Sequence, residues 1–237
     1  MRSIKAVFFD LGGTLFDYQT VAAADLESLV DALRRSGIEA GQEEVLRRYQ
    51  EVKRRIYRQY LPRPYYLHRD FFLDALSGLL ESFGSRLRSG DFDHYCRQLW
   101  ERHERDLRVR EGVAETLLTL KGRGLYLGVV SNIDEDQLSH LVRILQLAPY
   151  FDLLLSSERA RSCKPDAGIF KTALDMARCR AESALFVGDS LDQDIDGANR
   201  AGMHSVLLWH RDDRRPPASK PRPRHLIRQI PDLLALV

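Results

Sequence analysis

Cysteine is scarce in this chain: Cys96, Cys163 and Cys179 are the only three among 237 residues. An odd, sparse set cannot build a disulfide framework, and it suits a reducing compartment. An excess of either charge is also missing. Lys and Arg number 36 against 34 Asp and Glu, for a formal net charge of +2. A balance so near neutral gives no electrostatic case for wholesale nucleic-acid or membrane binding. No apolar run approaches the roughly 18 residues that would span a bilayer. The opening MRSIKAVFFDLGG has neither the long apolar stretch nor the small-residue cleavage site of a signal peptide. Internal repeats are absent too. These absences lead us to expect a cytoplasmic protein with no membrane and no nucleic-acid partner. Its 44% hydrophobic and 30% charged residues are an ordinary globular mixture.

What the chain does have is a series of short apolar runs closed by polar residues or glycine: Ile4–Leu11, Leu125–Asn132, Phe151–Ser157, Ala184–Asp189 and His204–Trp209. They are apolar on both faces, as strands of a doubly covered parallel sheet must be. Helical stripes alternate with the last four. Val113, Leu117 and Leu120 form one; Leu138, Leu141, Val142 and Leu145 form another. Phe170, Ala173, Leu174 and Ala177 form a third, and Ile195–Ala201 reads as a helix stopped by Gly202. This alternation predicts an α/β fold, a Rossmann-like three-layer parallel sheet core.

One long interruption follows the first strand. Residues 16–107 contain no convincing strand and carry four amphipathic patterns. Leu26, Leu29, Val30 and Leu33 run up to Gly37. Val45, Tyr49, Val52, Ile56 and Tyr60 follow, then Phe72, Leu76, Leu79, Leu80 and Phe83 before Gly84. Phe92, Tyr95, Cys96, Leu99 and His103 close the set. The expectation is a core of residues 1–15 and 108–237 with an inserted all-helical cap over 16–107. An insertion at that point lies after the carboxyl end of a strand, where α/β sheets bind ligands. The basic, Pro-rich Arg211–Arg224 reads as a solvated loop, and the closing HLIRQIPDLLALV as a short strand or turn and a docking helix.

Four polar clusters fall at or just past predicted strand ends. They are Asp10-Leu11-Gly12-Gly13-Thr14, Ser131-Asn132, Lys164-Pro165 and Gly188-Asp189-Ser190, with Asp194 close behind. Along one edge of a parallel sheet these groups converge. The carboxylates would then offer oxygen ligands to a hard cation such as Mg2+. A hydroxyl, an ammonium and glycine-rich backbone N–H groups would form an anion site beside it. A cation flanked by phosphate-binding donors points to phosphoryl chemistry.

In these motifs, and most specifically in KPDAGIFKTALD followed by LFVGDSLDQDIDGANRAGM, the chain resembles the haloacid dehalogenase superfamily, in particular its phosphatase branch with a helical cap. The resemblance implies roles. Asp10 would be the nucleophile that becomes an aspartyl phosphate. Ser131 and the backbone of Asn132 would hold the phosphoryl group, and Lys164 would bridge it to Asp10. Asp10, Gly12 through its carbonyl, and Asp189 would bind Mg2+. Thr14 would hydrogen-bond near Asp10, and Asp194 would orient Lys164 or a metal-bound water. The substrate would be a small phosphorylated metabolite, acted on by a monomer or homodimer.

The chain departs from that family at Gly12, where most of its phosphatases carry a second aspartate as general acid and base. Losing such assistance costs about 10²–10⁴ in rate. Three readings follow: a phosphatase with weakened acid–base catalysis, a phosphate-binding or regulatory module, and a phosphonoacetaldehyde-hydrolase-like enzyme with Lys53 as the Schiff-base amine. Asp17 could in principle substitute, though a surface or hinge acid is the plainer reading. Dehalogenation is disfavoured, because the acidic Asp189–Asp194 cluster argues for a metal. Plainer expectations attach to other residues. Arg63, Tyr65, Tyr66 and His68 lie in a cap loop that either reads substrate or packs between helices. Trp100 and His103 pack in a core, Asp134, Glu135 and Asp136 start a helix, and Asp192 and Asp196 are exposed loop acids.

Overall fold

The computed structural model describes residues 3–210 and 221–237. Positions 211–220 of the basic Pro-rich segment therefore lie outside the described residues. Two compact units are present, Met1–Asp17 with Val109–Val237, and Tyr18–Arg108.

The first unit is built on strands β1 (Ala6–Phe9), β2 (Tyr126–Ser131), β3 (Leu153–Ser156), β4 (Ala184–Gly188), β5 (His204–Leu208) and β6 (His225–Ile227). They form one sheet in the order β3-β2-β1-β4-β5-β6, and every pairing is parallel. The central strand explains the pattern read above. All four residues of β1 are fully buried, so neither face tolerates a polar side chain. Ala6 and Phe8 join Phe186, Ile169 and Phe170 in one apolar cluster, while Phe9 meets Phe151 edge-on at 6.0 Å.

Helices of this unit are α5 (Val113–Gly122), α6 (Glu135–Ile144), α7 (Ser157–Ala160), α8 (Ala167–Met176) and α9 (Asp196–Arg200). α5 and α8 pack on β2, and α9 packs on β5. Two details differ from expectation. The helix expected at Ile195–Ala201 is preceded by a wide π-type turn over Leu191–Ile195, in which the Ile195 amide reaches back to the Ser190 carbonyl at 3.1 Å. The closing docking helix is a 3-10 turn over Ile230–Ala235, opened by Pro231 and capped through Gln229 and Asp232.

The second unit holds α1 (Ala22–Arg35), α2 (Gln42–Tyr60), α3 (His68–Ser82) and α4 (Asp91–Asp106). Leu29, Leu33, Val45, Leu76, Leu79, Phe92 and Tyr95 fill its centre. Val45, Val52, Ile56 and Tyr60 are the buried face of α2, with the spacing a helix needs to present one stripe. The segment around Pro62 and Pro64 packs between helices: Tyr66 and Phe71 meet Tyr60 edge-on, and Tyr60 donates to Asp74 at 2.6 Å. His103 contacts Asp25 at 2.7 Å.

Candidate active site

Parallel pairing places the carboxyl ends of β1, β2 and β4 side by side, with Phe9 in register with both Val129 and Val187. Asp10 follows β1, Ser131 ends β2, and Gly188-Asp189 closes β4. The register thus brings three sequence clusters to one edge without any long-range loop.

Lys164 arrives from the segment after α7. Its Nζ donates to Asp10 Oδ1 at 2.7 Å and to Asp194 Oδ1 at 2.7 Å. Ser131 Oγ donates to the same Asp10 oxygen at 2.9 Å. Both side-chain donors therefore end on Oδ1, and Oδ2 is left for an incoming group. Asn132 clamps the lysine's backbone: its amide donates to the Lys164 carbonyl at 2.9 Å, and its Oδ1 accepts from the Lys164 N–H at 2.7 Å. The Phe186 ring lies 5.3 Å beneath the ammonium.

Asp194 sits in the wide turn, 1% exposed. Its Oδ2 accepts from the Ser190 N–H at 2.9 Å. A Cβ on Gly188 would stand 2.3 Å from its carboxyl carbon, so glycine is required there for the carboxylate to fold inward. Asp189 lies against Gly13, which has φ +82 and whose missing Cβ would fall 2.4 Å from Asp189 Oδ2.

Electrostatics are unbalanced here. Burial disfavours the Lys164 ammonium, yet Asp10 and Asp194 outweigh it and hold its pKa above the ordinary lysine value. Burial, then the charges of Asp194 and Asp10, push Asp189 up to about 8, with Lys164 opposing. Burial raises Asp194 to about 6 against the pull of Lys164. Three carboxylates, with one oxygen from each within 4.8 Å of the others, share one ammonium. Such hard oxygen donors with surplus negative charge fit a divalent cation of the Mg2+ class. The arrangement can hold a cation and an anion together and present a carboxylate oxygen to the anion.

Not every expected residue behaves as anticipated. Thr14 Oγ1 is fully buried with no hydrogen-bond partner, so the bond expected near Asp10 is not made. The surrounding turn pairs its backbone groups with each other, Leu15 N–H to Leu11 carbonyl at 2.8 Å and Gly13 N–H to Phe16 carbonyl at 2.9 Å. Gly12 forms a bridge to Phe16. Asp17 is paired with Arg110 at 2.8 Å, so acid–base work would first have to break that contact. Asp196 pairs with Arg200 one helical turn on, and Asp134 is a buried residue at the start of α6. Lys53, on α2 of the other unit, is exposed. Surrounding protein lowers its pKa while Asp25 opposes. Solvent access to the side chain limits how far that lowering goes. The Asn132 clamp and Arg110 escaped sequence reading. An asparagine after Ser131 does signal polar chemistry, whereas nothing distinguishes Arg110 from the other basic residues.

A parallel α/β sheet that gathers an aspartate, a lysine and two further acids at its carboxyl edge is the candidate catalytic centre. A family model for haloacid dehalogenase-like hydrolases matches residues 4–202, and the chain belongs to that family. Ribulose-1,5-bisphosphate 5-phosphatase of Halopiger xanaduensis is 30% identical over 208 residues, which cover 86% of this chain and 84% of that one. The haloacid dehalogenase-like hydrolase domain-containing protein 3 of Bos taurus is 41% identical over 100 residues, 42% of this chain and 39% of its own length. The match thus spans about two fifths of that vertebrate relative. The crystal structure of a HAD phosphatase from Thermococcus onnurineus superposes with a TM-score of 0.75 at 25% identity, covering 98% of this chain and 97% of that one. Among the described residues, no helix is long and apolar enough to cross a membrane.

Proposed function

We propose that the protein is a Mg2+-dependent phosphatase of a small phosphorylated metabolite, working through an aspartyl phosphate on Asp10. The observation that carries this reading is the Lys164 ammonium held at 2.7 Å from both Asp10 and Asp194. That contact fixes Asp10 by one oxygen and leaves the other to attack phosphorus. In the first step the Asp10 oxygen bonds to phosphorus, the ester P–O bond breaks, and the leaving alkoxide takes a proton from water. In the second, water attacks phosphorus, the acyl phosphate bond breaks, and free Asp10 and inorganic phosphate result. Ser131, the Asn132 backbone and Lys164 hold the phosphoryl oxygens, and Lys164 offsets their growing charge. Asp10, Asp189 and the Gly12 carbonyl would hold the Mg2+, which supplies electrostatic stabilisation of the phosphoryl group. Asp194 positions Lys164. The helical unit serves as cap, with the expected boundaries near 16 and 107. A cytoplasmic location belongs to the same reading, and so does action as a monomer or homodimer.

Gly12 leaves both steps without a built-in acid or base, so turnover is slow and aspartyl-phosphate breakdown limits it. The activity in the Halopiger relative's name suggests a sugar phosphate as the first substrate to try. The test is a phosphatase screen of the wild type beside Asp10→Asn and Gly12→Asp. Activity lost in Asp10→Asn and raised about 10²-fold in Gly12→Asp supports the reading. Activity only in Gly12→Asp makes the native protein a phosphate-binding module. Acetyl phosphate with Mg2+ gives a second check: a rapidly lost adduct fits a phosphatase, and a long-lived one fits a regulatory acceptor. The Schiff-base hydrolase reading needs a desolvated Lys53, and that side chain is exposed, which weighs against it. Borohydride trapping with phosphonoacetaldehyde decides it: a reduced adduct on Lys53 supports that reading, and no adduct removes it.

A further inference from the structure

Arg110 touches the loop after Asp10 at three alternate residues. Its backbone N–H donates to the Leu15 carbonyl at 2.9 Å. Its Nη2 donates to the Gly13 carbonyl at 2.9 Å, and its Nη1 to Asp17 Oδ2 at 2.8 Å. The guanidinium is largely buried, 16% exposed, and its Nε has no partner. A buried polar group left partly unpaired is costly, so the fork is held there by what its other two nitrogens grip.

What they grip is the most deformable point of the loop. Gly13 has φ +82 and no side chain, so its peptide is free to rotate unless something holds it. Two groups do. The Asp189 carboxylate packs on its Cα, and Arg110 takes its carbonyl. The peptide before it carries the Gly12 carbonyl, and Asp10 lies three residues upstream. Lysine could not do the same work, because a point ammonium lacks the planar fork that spans two acceptors at fixed angles.

We propose that Arg110 is a positioning residue for the proposed phosphoryl-transfer reaction, holding the loop Leu11–Phe16 so that Asp10 and Gly12 keep their placement. Asp17 is the counter-ion of this device. The inference rests on the phosphatase reading for its kinetic consequence and on the hydrogen bonds alone for its structural one.

The experiment compares wild type, Arg110→Ala and Arg110→Lys with p-nitrophenyl phosphate and Mg2+, with and without millimolar guanidinium. In parallel, hydrogen exchange is followed at the Gly13, Leu15 and Phe9 amides. Misplacement of a nucleophile loop by about 1 Å costs about 10²-fold. We expect kcat of Arg110→Ala to fall about 100-fold with KM within about threefold, since ground-state binding is untouched. Free guanidinium restores at least about a tenth of the loss in Arg110→Ala and nothing in wild type. Arg110→Lys keeps the charge and the stem, so it folds even if the alanine variant does not, and it stays well below wild type. Gly13 and Leu15 exchange faster in both variants while Phe9 does not. Unchanged kcat overturns the proposal, and so does a loss that guanidinium leaves untouched while Gly13 and Leu15 stay protected. A wild type inactive toward the probe ends the phosphatase reading instead. The exchange data then decide the positioning claim alone: faster exchange at Gly13 and Leu15 supports it, and unchanged exchange overturns it.

Discussion

Two lysines, each near an aspartate, show what decides the charge of a basic group in this molecule. Lys164 is 2% exposed and Lys53 is exposed, so burial alone would make Lys164 the easier one to discharge. The reverse holds. Lys164 is raised because two carboxylates meet it at hydrogen-bond distance. Lys53 is lowered because surrounding protein strips water from its ammonium, and Asp25, acting without a hydrogen bond, offsets only part of that. Contact geometry outranks depth, since charge-assisted hydrogen bonds recover the solvation that burial removes. A lysine held charged by two carboxylates suits anion binding.

The largest effect should come from breaking the first lysine's contacts. Lys164→Met leaves Asp194 and Asp10 without their cation, which costs about 3–5 kcal/mol of stability. Phosphatase activity should drop at least about 10³-fold. Lys53→Met should change the same activity by less than about threefold if Lys53 takes no part in phosphoryl transfer. Melting curves and steady-state rates of the two variants check both halves. Equal losses would erase the contrast between the two lysines.

A smaller effect should follow from displacing Asp194 rather than its partner. Gly188→Ala places a methyl where the Asp194 carboxyl group now lies. The expected cost is about 1–3 kcal/mol of stability, with Lys164 losing one of its two contacts. A denaturant melt measures it, and unchanged stability would mean that the wide turn shifts freely.

The last effect concerns pH. Asp194 and Asp189 bind protons more tightly folded than unfolded, at about 6 and about 8. As pH rises above about 4 the unfolded chain releases these protons first, so the metal-free protein loses stability until pH passes about 8. A divalent cation offsets that penalty only once the carboxylates are charged. The gain in melting temperature on adding Mg2+ should thus be larger near pH 8 than near pH 5. A gain independent of pH would separate the cation from these two acids.

Much of this was legible in the chain because parallel sheets buried on both faces leave continuous apolar runs. β1, β2, β3, β4 and β5 fall within the runs read from sequence, and Asp10, Ser131 and Asp189 lie at or just past strand ends. The register of the sheet then brings them together. The wide turn at Leu191–Ile195 was not legible, because a shifted hydrogen-bond pattern leaves no mark on apolar periodicity. Arg110 was hidden among 36 basic residues, since its partners at 13, 15 and 17 are backbone and a distant acid. The Asn132 clamp needs coordinates too, as both of its bonds go to the main chain of Lys164.

The most direct test of the central claim is an acid quench during turnover of a sugar phosphate with Mg2+, followed by mass spectrometry of the peptide that carries Asp10. The account predicts phosphate bound to Asp10 in the wild type and none in Asp10→Asn. Hydrolysis proceeding at an undiminished rate in Asp10→Asn, or phosphate recovered on any other residue, would contradict it.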